Sequence, residues 1–325
     1  MTAAAATVAI PTRNRRARLI PLLERLIPQA ADVGADILVV DNGSSDGTVE
    51  AVRALAGDRV RCIVEPGAGA TRARNAGARA ARGEVAAFID DDALPRPGWL
   101  AALLDPFSDG RVGCVGGRVR LRFEGAGPAW INDALAAYLA AYDLGDDPVD
   151  LATRPRHEAP RGLNMAVRRG ALLEVGGFDV RLGPRGSRPS VGEESELCLR
   201  LLGRGYGVRY DPRAEVEHLV DPARLDAAWF LRRAFWTGWG EGFIDARYQA
   251  LRKVAGRVRW HYGRALLGLP HAASPGYERN RLSAACGRRE ACGYILAFLR
   301  YRAWWSGRVG MQRGAASARA KSADA

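Results

Sequence analysis

Three consecutive aspartates, Asp90, Asp91 and Asp92, follow the apolar run "EVAAFI" and precede "ALPRP". Carboxylates this close repel one another unless positive charge holds them together. A divalent cation of the Mn2+ or Mg2+ type supplies such charge, because it takes hard oxygen ligands and shares one or two protein carboxylates with substrate phosphates. It would also accept the negative charge that develops on a departing diphosphate. A plainer reading fits as well: Asp92 helps to start the helix "PGWLAALL", and its neighbours are solvated loop charges. The residues alone leave both open.

A second acidic stretch, "SVGEESELCLRLLGRGYGVRY", lies downstream. On a helix beginning near Glu193, Glu194 falls on the side of Leu197, Cys198 and Leu201. Glu193, Glu196 and Arg200 fall toward the other edge, where Glu196 and Arg200 can pair. An inward carboxylate among apolar neighbours suits a general base. The alternative is a helix-start glutamate favoured by the macrodipole. In "RAEVEH", Ala214, Val216 and His218 share one strand face, and Glu215 and Glu217 share the other. His218 thus points inward, as a hydrogen-bonded core histidine or as a metal ligand.

The elements around these residues alternate. "TVAIPT" (7–12), "DILVV" (36–40), "VRCIV" (60–64) and "EVAAFI" (84–89) read as buried strands. Between them lie helical patterns: Leu19, Leu22, Leu23 and Leu26 on one face, then 47–55, then the alanine-rich 70–81. This predicts an α/β fold with a mainly parallel, Rossmann-like central sheet flanked by helices. Such sheets bind ligands at the carboxyl ends of their strands. Thr12, Asn14, Asp41 and the three aspartates all fall at that edge. Residues 124–160 read as an insertion with one short helix, and 162–220 resume α+β patterning.

The 325 residues carry a formal charge of +12, which favours anionic partners such as phosphates, nucleotides or an anionic membrane. The five scattered cysteines form no CxxC pair, which argues against a disulfide framework or zinc site and for a reducing compartment. The N-terminus lacks the basic region of a signal peptide, and no apolar run reaches membrane-spanning length. These point to a cytoplasmic protein, peripheral at the inner face of the plasma membrane.

Taken together, "IPTRN", "VVDNGSSDGT", "GAGATRARNAG", "FIDDDALP", "GLNMAVRRG", "GGFD", "GEESELCLRL" and "YDPRAEVEH" resemble the family 2 glycosyltransferases of the GT-A fold, over about residues 7–220. The resemblance implies an inverting, metal-assisted transfer of a sugar from a nucleotide-diphosphate sugar, with uridine the expected base, to an acceptor hydroxyl. Pro11, Thr12, Asn14 and Asp41 would border the base and ribose, with Arg74 and Asn75 nearby. Asp90 would contact the ribose, beside Asp91. Asp92 would bind the metal (Mn2+ or Mg2+), and His218 could complete that site. Glu194 matches the catalytic base, where the family more often has aspartate; Glu193 is its neighbour. Asn164, Gly177, Phe178, Asp179 and Glu193 would shape the acceptor side. The acceptor would be a polysaccharide, a lipid-linked glycan or a small molecule.

The implied organisation is a catalytic domain over 1–220, with a nucleotide-sugar half (about 1–122), the 124–160 insertion and an acceptor half (160–220). A helical, basic and aromatic region (221–312) and a disordered tail (313–325) follow. Trp229, Trp236 and Trp239 beside Arg232 and Arg233, and Trp304 and Trp305 after Arg300 and Arg302, read either as an interfacial membrane surface or as ordinary packing. Two other functions compete. A nucleotidyltransferase would show a glycine-rich, lysine-containing phosphate loop, which "PTRNRRARL" lacks. A nucleic-acid-binding protein would show a recognised motif, and none appears.

Overall fold

The computed structural model describes residues 6–56, 60–154, 158–186, 188–248 and 281–302. The chain divides into two compact units, Met1–Leu225 and Asp226–Ala325.

The first unit is built on one nine-stranded sheet in the order β3-β2-β1-β4-β8-β6-β9-β5, with β7 paired to β9. Strands β1 (Ala6–Thr12), β2 (Asp36–Asp41), β3 (Val60–Val64) and β4 (Val85–Ile89) are all parallel. Three crossover helices connect them: α1 (Arg16–Asp32), α2 (Thr48–Ala56) and α3 (Ala70–Ala80). Every residue of β1 and β4 is buried, so these strands read as continuous apolar runs rather than alternating ones. The predicted α1 stripe of Leu19, Leu22, Leu23 and Leu26 is completely buried. On the other face Leu38 and Val40 pack under Ala73 and Ala76 of α3. Gly77 lets α3 approach, since a Cβ there would lie 2.9 Å from the Cβ of Ala9.

The other half of the sheet is mixed. It contains β5 (Ala93–Pro95), β6 (Val112–Arg122), β7 (Val149–Asp150), β8 (Asn164–Arg168) and β9 (Gly207–Leu219). β8 runs antiparallel to both β4 and β6, while β6 and β9 are parallel. The unbroken parallel run expected from the alternating pattern is confined to β1–β4; beyond it only β6 and β9 pair in parallel. Short helices α4 (Trp99–Leu104), α5 (Asp133–Tyr138), α6 (Arg169–Glu174) and the longer α7 (Glu193–Gly203) complete the unit. β6 is glycine-rich because its neighbours crowd it. A Cβ on Gly116 would meet Pro160 at 2.4 Å, and one on Gly117 would meet the Ala214 carbonyl oxygen at 1.8 Å. The β6–β9 register shifts at that point.

Asn75 of α3 clamps the "GGFD" loop. Its Nδ2 donates to the Phe178 carbonyl, and its Oδ1 accepts from the Phe178 N–H, both at 2.8 Å. Phe178 is buried edge-on against Phe88 of β4 at 5.4 Å. Thr71, four residues before Asn75, donates to the Leu182 carbonyl at 3.0 Å. One helix therefore fixes both ends of this loop.

In the second unit, α8 (Ala227–Tyr248) packs on a helix over 281–302. Gly238 faces Glu290 and Gly242 faces Tyr294, so the two helices run in the same direction. A Cβ on Gly238 would lie 1.8 Å from the Glu290 carbonyl oxygen, and one on Gly293 would lie 1.9 Å from that of Phe235. Small residues allow this backbone-close seam. Tyr294 donates to buried Asp245 at 2.8 Å. Trp236, Trp239, Phe235 and Tyr301 pack on one another within this unit. Trp304, Trp305 and the 313–325 tail lie outside the described residues. Among the described residues, no helix is long and apolar enough to cross a membrane.

Two substitutions test this framework. Asn75→Ala strips both partners from the buried Phe178 backbone and is expected to cost about 2–4 kcal/mol in urea unfolding; an unchanged midpoint would contradict the clamp. Gly117→Ala forces a methyl onto a backbone oxygen and is expected to cost about 1–3 kcal/mol. Wild-type stability in that variant would mean β6 and β9 are not packed this closely.

Candidate active site

The acidic residues gather where β1, β2 and β4 end. β4 stops at Ile89, so Asp90, Asp91 and Asp92 begin the turn into β5. Parallel pairing of β1 and β4 brings Thr12 alongside, and its hydroxyl donates to Asp91 Oδ2 at 2.8 Å. Arg15, just before α1, spans the two inner carboxylates. Its Nη1 lies 3.0 Å from Asp91 Oδ1 and 2.7 Å from Asp92 Oδ2. Burial pushes the Asp91 carboxyl up to about 7, opposed by Arg15 and reinforced by the Asp92 charge. Burial acts on Asp92 in the same sense, but His218, Arg15 and Arg224 outweigh it and hold Asp92 well below the usual carboxylate range.

Pairing of β5 with β9 sets Ala93 opposite His218. His218 is buried, with Nε2 3.5 Å from Asp92 Oδ1 and Nδ1 2.8 Å from the Leu139 carbonyl. A carbonyl only accepts, so Nδ1 donates its proton there, which fixes the ring with Nε2 facing Asp92. The buried carboxylate draws positive charge to this spot. Arg224 contributes here, 3.4 Å from both Asp92 Oδ2 and His218 Nε2. A divalent metal fits the same pair: a carboxylate oxygen, and an imidazole nitrogen oriented by a backbone carbonyl on its other side. Among the described residues, no group of three or more acidic, histidine or cysteine side chains forms a ready-made metal cage. Ions of the Mg2+ type usually take only one or two protein carboxylates and fill the rest with water and phosphate.

The third aspartate faces the other way. Asp90 accepts from Arg74 Nη2 through both oxygens, at 2.8 and 3.1 Å. Arg74, on α3 and fully buried, also reaches Glu193 at 3.1 Å and Glu194 at 3.9 Å. Burial disfavours its charge, but Asp90, Glu194 and Glu193 more than compensate. Glu194 Oε1 accepts from the Gly162 N–H at 2.9 Å. A Cβ at 162 would lie 2.3 Å from that oxygen and 2.8 Å from the Arg74 guanidinium carbon, so a larger residue would push both side chains from these positions. The Glu194 side chain keeps 17% of its surface exposed, against 3% for Glu193.

The loops at this edge are stapled by short amides and carboxylates. Asn14, in the left-handed region at φ 52°, accepts from Ser45 N–H at 2.7 Å. Asp41 accepts from the Gly43 and Ser44 N–H groups at 3.2 and 3.0 Å. Asn42 donates to the Glu65 and Gly67 carbonyls and accepts from Gly69 N–H.

Several expectations need correction. The helix-face reading placed Glu193 and Glu196 on the outer edge of α7, yet both are buried. Their charges go inside because Arg74 and Arg200 meet them there. Glu194 is the partly exposed one of the three, beside Gly162 and Arg74. Asn164 is not on an acceptor surface. It is completely buried, accepting from Trp99 Nε1 at 2.8 Å and donating to the Arg118 and Ala214 carbonyls. Asn75 is spent on Phe178, and Asp91 turns inward rather than toward a ligand. Gly177 is a left-handed glycine (φ 75°) packed on Asn75, and Asp179 bonds Arg181 of its own loop. Pro11 and Thr12 are buried in β1, so only the end of that strand meets the cleft. Arg15, Asn42, Gly162 and Arg224 were not singled out. "PTRNRRARL" offers several arginines without marking one, and "DPARL" carries no pattern at all.

Comparison with known proteins agrees with this architecture. The chain is 32% identical over 233 residues to a pre-mycofactocin glycosyltransferase of Mycobacterium tuberculosis, covering 71% of this chain and 46% of that protein. It is 28% identical to a glucosyl-dolichyl phosphate glucuronosyltransferase of Haloferax volcanii, covering 55% of this chain and 57% of that one. The chain thus spans about half the length of these curated relatives. Among solved structures it is similar to the mannosyltransferase PcManGT of Pyrobaculum calidifontis, in complex with GDP-Man and Mn2+. That similarity has a TM-score of 0.53 and 20% identity, over 94% of this chain and 80% of that one. The family model "Glycosyl transferase family 2" matches residues 7–171, half of the chain, and with the GT-A-like sheet and its acidic edge this shows that the protein belongs to glycosyltransferase family 2.

Proposed function

We propose that the protein transfers a sugar, with inversion, from a nucleotide-diphosphate sugar to an acceptor hydroxyl, using Glu194 as general base. One observation carries the reading: Arg74 touches Asp90 of the aspartate turn and reaches Glu194, so the candidate base stands beside the donor edge. Pro11, Thr12, Asn14 and Asp41 would border the base and ribose, and uridine is the expected base. Asp90 would face the ribose. The diphosphate would lie along Asp92, His218, Arg15 and Arg224.

A divalent cation, Mn2+ or Mg2+, held by Asp92 and His218 would neutralise charge on the leaving diphosphate. Glu194 would accept the proton of the acceptor hydroxyl. The freed oxygen would form its bond to the anomeric carbon from the face opposite the diphosphate, whose bond breaks with both electrons going to phosphate. A glycosidase needs a second carboxylic acid to protonate its leaving group. A diphosphate leaves as an anion, which accounts for one base and no partner acid. Gly162 and Arg74 both hold Glu194 Oε1, which orients the carboxylate toward the cleft. The relatives' names point to two acceptor classes, pre-mycofactocin in one and a glucosyl-dolichyl phosphate in the other, so a small molecule or a lipid-linked glycan is the expected acceptor. A lipid-linked acceptor would bring the chain to a membrane face. The family match disfavours a nucleotidyltransferase or a nucleic-acid-binding protein.

Thermal shift with UDP, GDP and dTDP, with and without Mn2+, tests the donor edge. At 100 times its Kd the cognate diphosphate should raise the midpoint by about 5–10 °C, only with metal. Asp92→Asn should lose the response; no shift with any diphosphate would sink the reading. Glu194→Gln should keep the shift yet lower turnover of the identified donor by about 10²–10⁴-fold. Near wild-type turnover would remove Glu194 as the base.

A further inference from the structure

We propose that Arg15 and Arg224 are placeholder cations: they hold Asp92 and His218 while the site lacks a divalent cation, then release them and turn to the donor's diphosphate. This rests on the metal-assisted reading above and concerns what the chain's own residues do before the donor arrives.

Arg224 stands on the imidazole nitrogen a metal would use, and both guanidinium groups stand on the Asp92 oxygen beside the one that faces His218. Arg15 lies 2.7 Å from Asp92 Oδ2, and Arg224 lies 3.4 Å from the same oxygen and from His218 Nε2. Asp91 and Asp92 are both buried, so carboxylate charge there calls for a cation beside it. Arg15 meets that need by touching both. A dication between Asp92 Oδ1 and His218 Nε2 would lie next to the Arg224 head on Nε2 and the Arg15 head on Oδ2, and like charges at such spacing repel strongly. That repulsion favours one arrangement over the other.

The arginines are built to move. The Arg15 and Arg224 side chains are 34% and 25% exposed, against 4% for Arg74. Their heads can swing outward without leaving a void in the core. Arg15 precedes the first turn of α1 in a non-helical conformation, and Arg224 sits on a single 3-10 turn, Pro222–Arg224, after β9. Neither is locked by a long helix. A diphosphate offers each a bidentate anionic partner, which suits guanidinium geometry. Arg74 has no such freedom and keeps Asp90 and Glu194 in place throughout.

The test is Mn2+ binding followed by EPR, with no nucleotide and then with UDP or GDP. Arg15→Gln and Arg224→Gln should each bind Mn2+ at least about fivefold more tightly than wild type without nucleotide. With the nucleoside diphosphate that wild type binds, the same variants should bind the Mn2+–nucleotide complex about tenfold more weakly. Arg15→Lys keeps the charge and should keep wild-type Mn2+ affinity, and circular-dichroism melting verifies that each variant folds. Unchanged or weaker Mn2+ binding by both folded glutamine variants would overturn the placeholder role. Tighter Mn2+ binding with unimpaired nucleotide binding would overturn the hand-over to diphosphate. If wild type binds Mn2+ neither alone nor with a nucleotide, the metal-assisted reading itself fails, and the inference falls with it.

Discussion

The site depends on a single buried guanidinium. Arg74 is paired with carboxylates from two elements that do not otherwise bond there: the turn after β4 and the first turn of α7. Taking these charges out of water is expensive, and only close opposite charge offsets the cost. The arrangement is all or nothing. With Arg74 in place, the carboxylates of Asp90, Glu193 and Glu194 share one cation at close quarters. Without it they would repel, and the start of α7 would lose its anchor to the sheet edge. α3 supplies Arg74 and, one residue on, the Asn75 clamp on Phe178. That short helix therefore sets the position of both the base and the loop beside it.

A contrast of charge handling runs across the same edge. Around Arg74 the groups are sealed and fixed. Around Asp92 the arginines are partly solvated and arranged about a carboxylate and an imidazole. The three adjacent aspartates are thus not one cluster: Asp90 belongs with Arg74, while Asp91 and Asp92 belong with Arg15.

Much of this was legible in the sequence. Buried parallel strands such as β1 and β4 announce themselves as unbroken apolar runs, and the α1 leucine stripe has helical spacing. The aspartates follow because strand ends are where such sheets bind ligands. β6, the long strand that ties the two halves together, was far less visible. Gly113, Gly116 and Gly117 dilute its β-propensity, and their reason lies in neighbours distant along the chain: Tyr206, Pro160 and Ala214. The burial of Glu193 and Glu196 could not be read from helical periodicity, which counts carboxylates as outward. It depends on arginines, one of them more than a hundred residues away. Asn164 misled for the same reason, since its three partners come from three separate elements.

The His218 ring is oriented by the Leu139 carbonyl, which belongs to the 124–160 insertion. That partner is main chain, so the side chain at 139 can drift without changing the imidazole tautomer. The spacing of the segment cannot. An insertion or deletion near α5 would carry the carbonyl away from Nδ1 and free the ring to turn over. The segment is therefore open to variation in composition but constrained in length, and a new acceptor preference can evolve there by exchange of residues more readily than by growth of the loop.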